Sequence, residues 1–201
     1  MAGEDDNIVA LYERHALAFD GLRGRNLFEK PWLDRFKALV APRGDILDLG
    51  CGAGEPIAAS LIRGGFRVTG VDASETLIGL CRQRFPDRSW FVADMRQFSL
   101  PARYDGILAW HSFFHLNQND QRAMFPRFAT LAASGAALMF TAGHFDGVAM
   151  GEFAGEPLYH ASLSSDEYTA LLSENGFAVV AQVSQDPRCG GATVWLAKRI
   201  S

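Results

Sequence analysis

Cysteine is scarce in this chain: Cys51, Cys81 and Cys189 are the only three, far apart and without CxxC spacing. An odd, scattered set argues against a disulfide framework or a thiolate zinc site, so no metal is expected, and a reducing cytoplasmic setting is the default. Long apolar runs are missing too; none approaches the roughly 20 residues that a membrane-spanning helix needs. Nor is there a basic cluster. Lys and Arg total 19 against 23 Asp and Glu, a net charge of -4. Nothing here draws a phosphate backbone over a broad surface, which argues against nucleic acid as the main partner. The opening MAGEDDNI is acidic where a signal peptide would be basic. Internal repeats and low-complexity linkers are lacking as well.

What is present is an ordinary globular composition, 48% apolar and 21% charged over 201 residues. That length suits one domain with a well-buried core. The chain centres on Asp45 to Asp72, DILDLGCGAGEPIAASLIRGGFRVTGVD. An apolar run leads into glycines at 50, 52 and 54, then a helical segment, a Gly64-Gly65 stop, and a second apolar run ending on Asp72. Strand, glycine turn, helix, strand and acid make a nucleotide-binding βαβ unit.

The rest arranges itself around that unit. Ile8, Leu11, Tyr12, His15 and Phe19 fall at helical spacing over 7–20, and a second helix starts at Pro31. Residues 1–43 therefore read as a helical cap on a core spanning 44–201. Ser74 is a candidate N-cap, and Trp90 to Val92 and Tyr104 to Trp110 read as the third and fourth strands. Pro126 should kink the helix that follows, or mark its first turn. Ala136 to Ala142 is a fifth strand, and Gly143 to Leu163 is a loop long enough to be functional. The last two strands are joined only by the turn-rich DPRCGGA, so the final strand should run antiparallel to its predecessor. The expected fold is α/β and Rossmann-like: a seven-stranded, mostly parallel sheet with an antiparallel last strand and helices on both faces, plus the N-terminal helices.

The glycine turn departs from the dinucleotide fingerprint. Gly50 and Gly52 match, but the third small position is Glu55, and Pro56 removes one of the N–H donors a pyrophosphate would use. A nucleoside without phosphates loses less there. The runs LDLGCGAG at 47–54, VDAS at 71–74 and VADM at 92–95 resemble successive motifs of the class I S-adenosylmethionine-dependent methyltransferases. The resemblance implies S-adenosyl-L-methionine as cofactor, S-adenosyl-L-homocysteine as product, and roles for particular residues. Asp48 would orient the turn and the methionine amino group. Gly50, Cys51 and Gly52 would bring backbone to the cofactor, and Asp72 with Ala73 would take the ribose. Asp94 and Met95 would hold the adenine, Trp110 and His111 would border the sulfonium, and Tyr12 would close over the methionine end. No Asn/Asp-Pro-Pro-aromatic run follows strand 4, which favours a small-molecule acceptor.

A base is needed if that acceptor is an alcohol, phenol or ammonium, and histidine suits the task near neutral pH. His111 and His144 lead, because they follow the strand ends nearest the expected sulfonium. His115 and His160 also fall on the ligand-binding side of the sheet. Phe113, Phe114, Phe145, Phe153 and Tyr159 are candidates for an apolar acceptor pocket. The leading function is thus methyl transfer to a small molecule. A nicotinamide-dependent oxidoreductase and a catalytically silent cofactor-binding module remain alternatives. Oligomeric state is not legible.

Overall fold

The structure, a computed structural model, describes residues 7–200. Three helices come first: α1 (Asn7–Arg14), α2 (Ala16–Leu22) and α3 (Lys30–Leu39). Then β1 (Asp45–Leu49), α4 (Ile57–Arg63), β2 (Arg67–Asp72), α5 (Glu75–Arg84), β3 (Ser89–Val92) and β4 (Tyr104–Ala109) follow in turn. The second half holds α6 (Gln118–Leu131), β5 (Ala132–Ala142), β6 (Gly147–Phe153), β7 (Glu156–Ser162), α7 (Ser165–Glu174), β8 (Phe177–Asp186) and β9 (Ala192–Arg199).

Seven strands form one sheet in the order β3-β2-β1-β4-β5-β9-β8. All pairs from β3 to β5 are parallel, while β9 runs antiparallel to both β5 and β8. The reversal of strand order between β1 and β4 opens a crevice at their C-terminal ends, where α/β sheets take ligands. Central strands are buried on both faces, so they read as continuous apolar runs. Leu47, Leu49, Ile107 and Phe140 face α6 and α7 through Phe125, Phe128 and Tyr168. Ile46, Leu108 and Met139 face α3, α4 and α5 through Trp32, Phe36, Leu61 and Ile78.

Several expectations change. The helix predicted over 7–20 is broken at His15, whose backbone (φ -108, ψ 16) leaves the helical region. α3 packs deeply: Trp32, Leu33 and Phe36 are at most 1% exposed, and Trp32 Nε1 donates to Asp186 Oδ2 at 2.9 Å. Pro126 lies within α6 rather than at its start. The link from β3 to β4 carries no helix. The largest correction concerns Gly143 to Leu163, which is no loop. It folds as the β6–β7 hairpin, with Phe153 paired to Glu156 across Ala154-Gly155. Both turn residues have positive φ (53° and 81°), the two-residue geometry that matches strand twist. No helix among the described residues is long and apolar enough to cross a membrane.

Candidate active site

A cleft with about 840 Å³ of empty space opens at the C-terminal ends of β1, β2, β3 and β4. Its floor starts at the glycine turn. Gly50 and Gly52 take φ of 74° and 54°, which side-chain-bearing residues rarely adopt. At Gly50 there is also no room: an added Cβ would lie 2.2 Å from Ser112 Cβ. Ser112 Oγ in turn donates to the Leu49 carbonyl at 2.7 Å, locking the end of β4 against the end of β1.

Asp72 ends β2 and faces this turn. Its Oδ2 accepts from Gly52 N and its Oδ1 from Ser74 N, both at 2.9 Å. Each oxygen is held by one donor and keeps lone-pair capacity for another, the arrangement a vicinal diol requires. Burial raises the Asp72 carboxyl above the usual range, against the pull of those backbone N–H groups. Asp48 lies behind the turn at 3% exposure, without a hydrogen bond to its carboxylate among the described residues and outside the cleft wall. Burial, with Asp72 nearby, pushes it up to about 7. Cys51 is likewise behind the surface; its thiol points to the Gly52 carbonyl at 3.6 Å.

Ala73, Asp94 and Met95 line the cleft. The Asp94 carboxylate is nevertheless already engaged. Arg96 Nε reaches Oδ2 at 2.8 Å and Oδ1 at 3.1 Å, and the same guanidinium spans to Asp120 at 2.8 Å. Burial works against ionisation, but Arg96 holds Asp94 below its ordinary value. Sequence reasoning missed Arg96, although its place two residues beyond an acid on a strand end was a signal.

The opposite wall comes from the N-terminal helices through Ile8, Val9, Tyr12 and Phe19. Tyr12 Oη lies 3.0 Å from His115 Nε2, and His115 Nδ1 lies 2.9 Å from the Tyr159 carbonyl. Burial drives His115 down to about 4 and Tyr12 up to about 12. His111 also lines the cleft, from a positive φ of 53°. Its N–H donates to Thr141 Oγ1 at 2.8 Å, and the surrounding walls, with Arg23, push its ring down to about 4.

The remaining candidates stand elsewhere. Trp110 is buried beneath His111 and stacks on it at 5.4 Å. His144 and Phe145 are exposed and meet each other at 5.0 Å, because the hairpin turns that segment away from the cleft. Tyr159 is buried with Ile8 and Ala161. His160 packs behind His115 at 4.9 Å rather than on the cleft surface. Phe113 belongs to the core, at 0% exposure. Phe114 is half-buried at 5.7 Å from His111. Among the described residues no cluster of His, Cys, Asp or Glu could hold a metal.

Residues 46–135 match the methyltransferase-domain family. By that match and by its fold, the chain resembles the class I methyltransferases. The Bacillus subtilis protein YqeM, named as a methyltransferase, is 29% identical over 102 residues, covering 49% of this chain and 40% of that protein. An O-methyltransferase of Pyrenophora dematioidea is 29% identical over 152 residues, covering 70% of this chain and 56% of that one. The alignments thus span less than two thirds of either curated relative. Among solved structures, the 1,6-didemethyltoxoflavin-N1-methyltransferase of Burkholderia thailandensis, with S-adenosylhomocysteine bound, superposes with a TM-score of 0.75. It shares 17% identity and covers 100% of this chain and 92% of its own. At that identity the likeness concerns the fold.

Proposed function

We propose that this chain transfers a methyl group from S-adenosyl-L-methionine to a small-molecule acceptor through a hydroxyl or amine. The observation that carries the reading is Asp72 tied at 2.9 Å to the Gly52 backbone at the cleft floor. That pair sets a two-oxygen ribose acceptor beside a turn whose positive-φ glycines bring bare backbone to a ligand. Gly50, Gly52, Asp72 and Ala73 would hold the cofactor with Met95 and Tyr12. Asp48 would stand behind the turn. When bound, the cofactor supplies an electrophilic methyl group on a sulfonium. The nicotinamide alternative is not favoured: Glu55 occupies the third small position and pairs with Arg25 at 2.7 Å.

For the acceptor, Tyr12 and His115 do the chemistry we favour. A carbonyl only accepts, so His115 donates from Nδ1 to Tyr159, and with the ring kept neutral by burial Nε2 accepts from the Tyr12 hydroxyl. Tyr12 Oη then offers the cleft only lone pairs, suited to an acceptor O–H or N–H. As that group is alkylated, its proton moves to Tyr12 and the Tyr12 proton moves to His115 Nε2. The weak basicity of His115 favours a hydroxyl, whose alkylated form is far more acidic than an alkylated amine. His111, stacked on Trp110 at the end of β4, would orient the acceptor. The three unpaired cysteines support a reducing cytoplasmic setting, and the net charge of -4 supports a partner other than nucleic acid. We read 1–201 as a single methyltransferase domain.

Calorimetry with S-adenosylhomocysteine tests the reading. Wild type should bind and Asp72→Ala should not. No binding at millimolar ligand would overturn it, and binding without turnover across a broad acceptor panel would instead favour a silent module.

A further inference from the structure

The tip of the β6–β7 hairpin lies outside the cleft, yet it touches the helices that wall it. Phe153, the last residue of β6, meets Tyr12 in a stacked contact at 5.9 Å, His15 edge-on at 5.9 Å and Phe19 at 6.1 Å. Those three rings come from α1, from the break at His15 and from α2, so Phe153 fills the elbow between the two helices. Glu156, the first residue of β7, closes the same elbow from the other side of the turn. It accepts from His15 Nε2 at 2.6 Å and pairs with Arg14. On the far side, Glu13 of α1 accepts from Thr76 Oγ1 at 2.6 Å and from Ser74 Oγ at 2.5 Å, at the start of α5. The helix pair is therefore strapped across the cleft, with α5 at one end and the hairpin at the other.

We infer that Phe153 and Glu156 are positioning residues for the cofactor: the hairpin tip latches the α1–α2 elbow and so holds Tyr12 and Phe19 against the bound cofactor. The charged half of the latch is solvent-facing, with the Glu156 side chain 36% exposed, and such pairs exchange readily with water. The apolar half is a single aromatic ring. A latch of that kind opens without unfolding the core, which a cofactor exchanged at every turnover requires. The same hairpin supplies the Tyr159 carbonyl to His115, so latch and proton relay share one element.

This inference rests on the cofactor reading above, and its test separates the two. Release of S-adenosylhomocysteine is followed by stopped-flow tryptophan fluorescence at pH 8, with the thermal midpoint of each ligand-free protein measured alongside. Glu156→Gln should speed release about three- to tenfold, and Phe153→Ala about tenfold or more, a range matching one exposed ion pair and one aromatic contact. The exchange Arg14→Glu with Glu156→Arg should return release toward the wild-type rate, while either single change should not. Release at the wild-type rate in both Glu156→Gln and Phe153→Ala overturns the latch, as does faster release that the exchange fails to rescue. A lower midpoint with unchanged release marks a purely structural role and overturns it too. If wild type itself does not bind S-adenosylhomocysteine, the cofactor reading has failed, and the latch with it.

Discussion

The Tyr12 hydroxyl lies 3.0 Å from Nε2 of His115, and the Tyr159 carbonyl lies 2.9 Å from the other ring nitrogen. A carbonyl cannot donate, so Nδ1 carries a proton, and burial, which lowers the ring to about 4, leaves Nε2 bare near neutral pH: a neutral imidazole protonated on Nδ1.

That neutrality has a consequence for stability. Burial holds His115 near 4 in the folded chain, against about 6.5 in an unfolded one. Above pH 6.5 both states are neutral and the site contributes no pH dependence. Between pH 6.5 and 4 the unfolded chain binds a proton that the folded chain refuses, so stability falls by about 1.4 kcal/mol per pH unit for this residue. Urea titrations across that range should show the slope, and His115→Gln should reduce it by about that amount, leaving the part due to His111. Nitrogen NMR at pH 7 should report a protonated Nδ1 and a bare Nε2.

Asp48 poses the opposite case. Its carboxyl is 3% exposed and raised to about 7, so its stability contribution is lost as pH rises from about 4 through 7, where the folded chain must give up a proton it holds more tightly than the unfolded one. At pH 8, Asp48→Asn should stabilise the ligand-free protein by about 1–3 kcal/mol while weakening affinity for S-adenosylhomocysteine. Thermal melts with and without ligand would show the two effects moving in opposite directions. Loss of stability in the ligand-free variant would refute the account.

Gly50→Ala should be far more damaging than a methyl group suggests. The position combines φ of 74° with an added Cβ only 2.2 Å from Ser112 Cβ. Strain of this kind costs about 1–3 kcal/mol before the steric clash is counted. Ser112 would have to leave its 2.7 Å bond to the Leu49 carbonyl. Calorimetry should find cofactor binding abolished even in whatever fraction folds.

Trp32→Phe probes the joint between α3 and the end of β8. The indole N–H donates to Asp186 at 2.9 Å, and both side chains are buried. Its loss leaves that acceptor short of a donor and should cost about 1–3 kcal/mol in urea unfolding. Asp186 sits at about 2, chiefly through Arg188 and also through Trp32, so its contribution is present above pH 4 and disappears as pH falls toward 2. The variant should lose part of that acid-range dependence.

Much of the fold was legible because its signals are local. An apolar run before Gly50, a glycine turn and an acid at the end of the next run specify strand, close backbone approach and strand end, whatever lies around them. The same logic placed Asp72, Ala73 and Met95 on the cleft, and it read the antiparallel final strand from a connection too short to cross over. Tyr12 and His115 were named singly. Their pairing was not legible, since 103 residues separate them and only the packing of α1 over the 3-10 turn Phe113–His115 brings them together.

The hairpin was hidden for a related reason. β6 has its middle residues exposed and β7 buries few, so no apolar alternation announces either strand, and the turn is Ala-Gly rather than the usual Asn-Gly. His144 was placed by chain order after β5, and chain order is what a hairpin overrides. Residue order alone determined the cleft floor, because a turn, a strand end and a carboxylate are set by neighbours along the chain. Tertiary structure decided the roof, the Tyr12–His115 pair and the sharing of Arg96 between Asp94 and Asp120, because each depends on side chains that meet only after distant segments have packed.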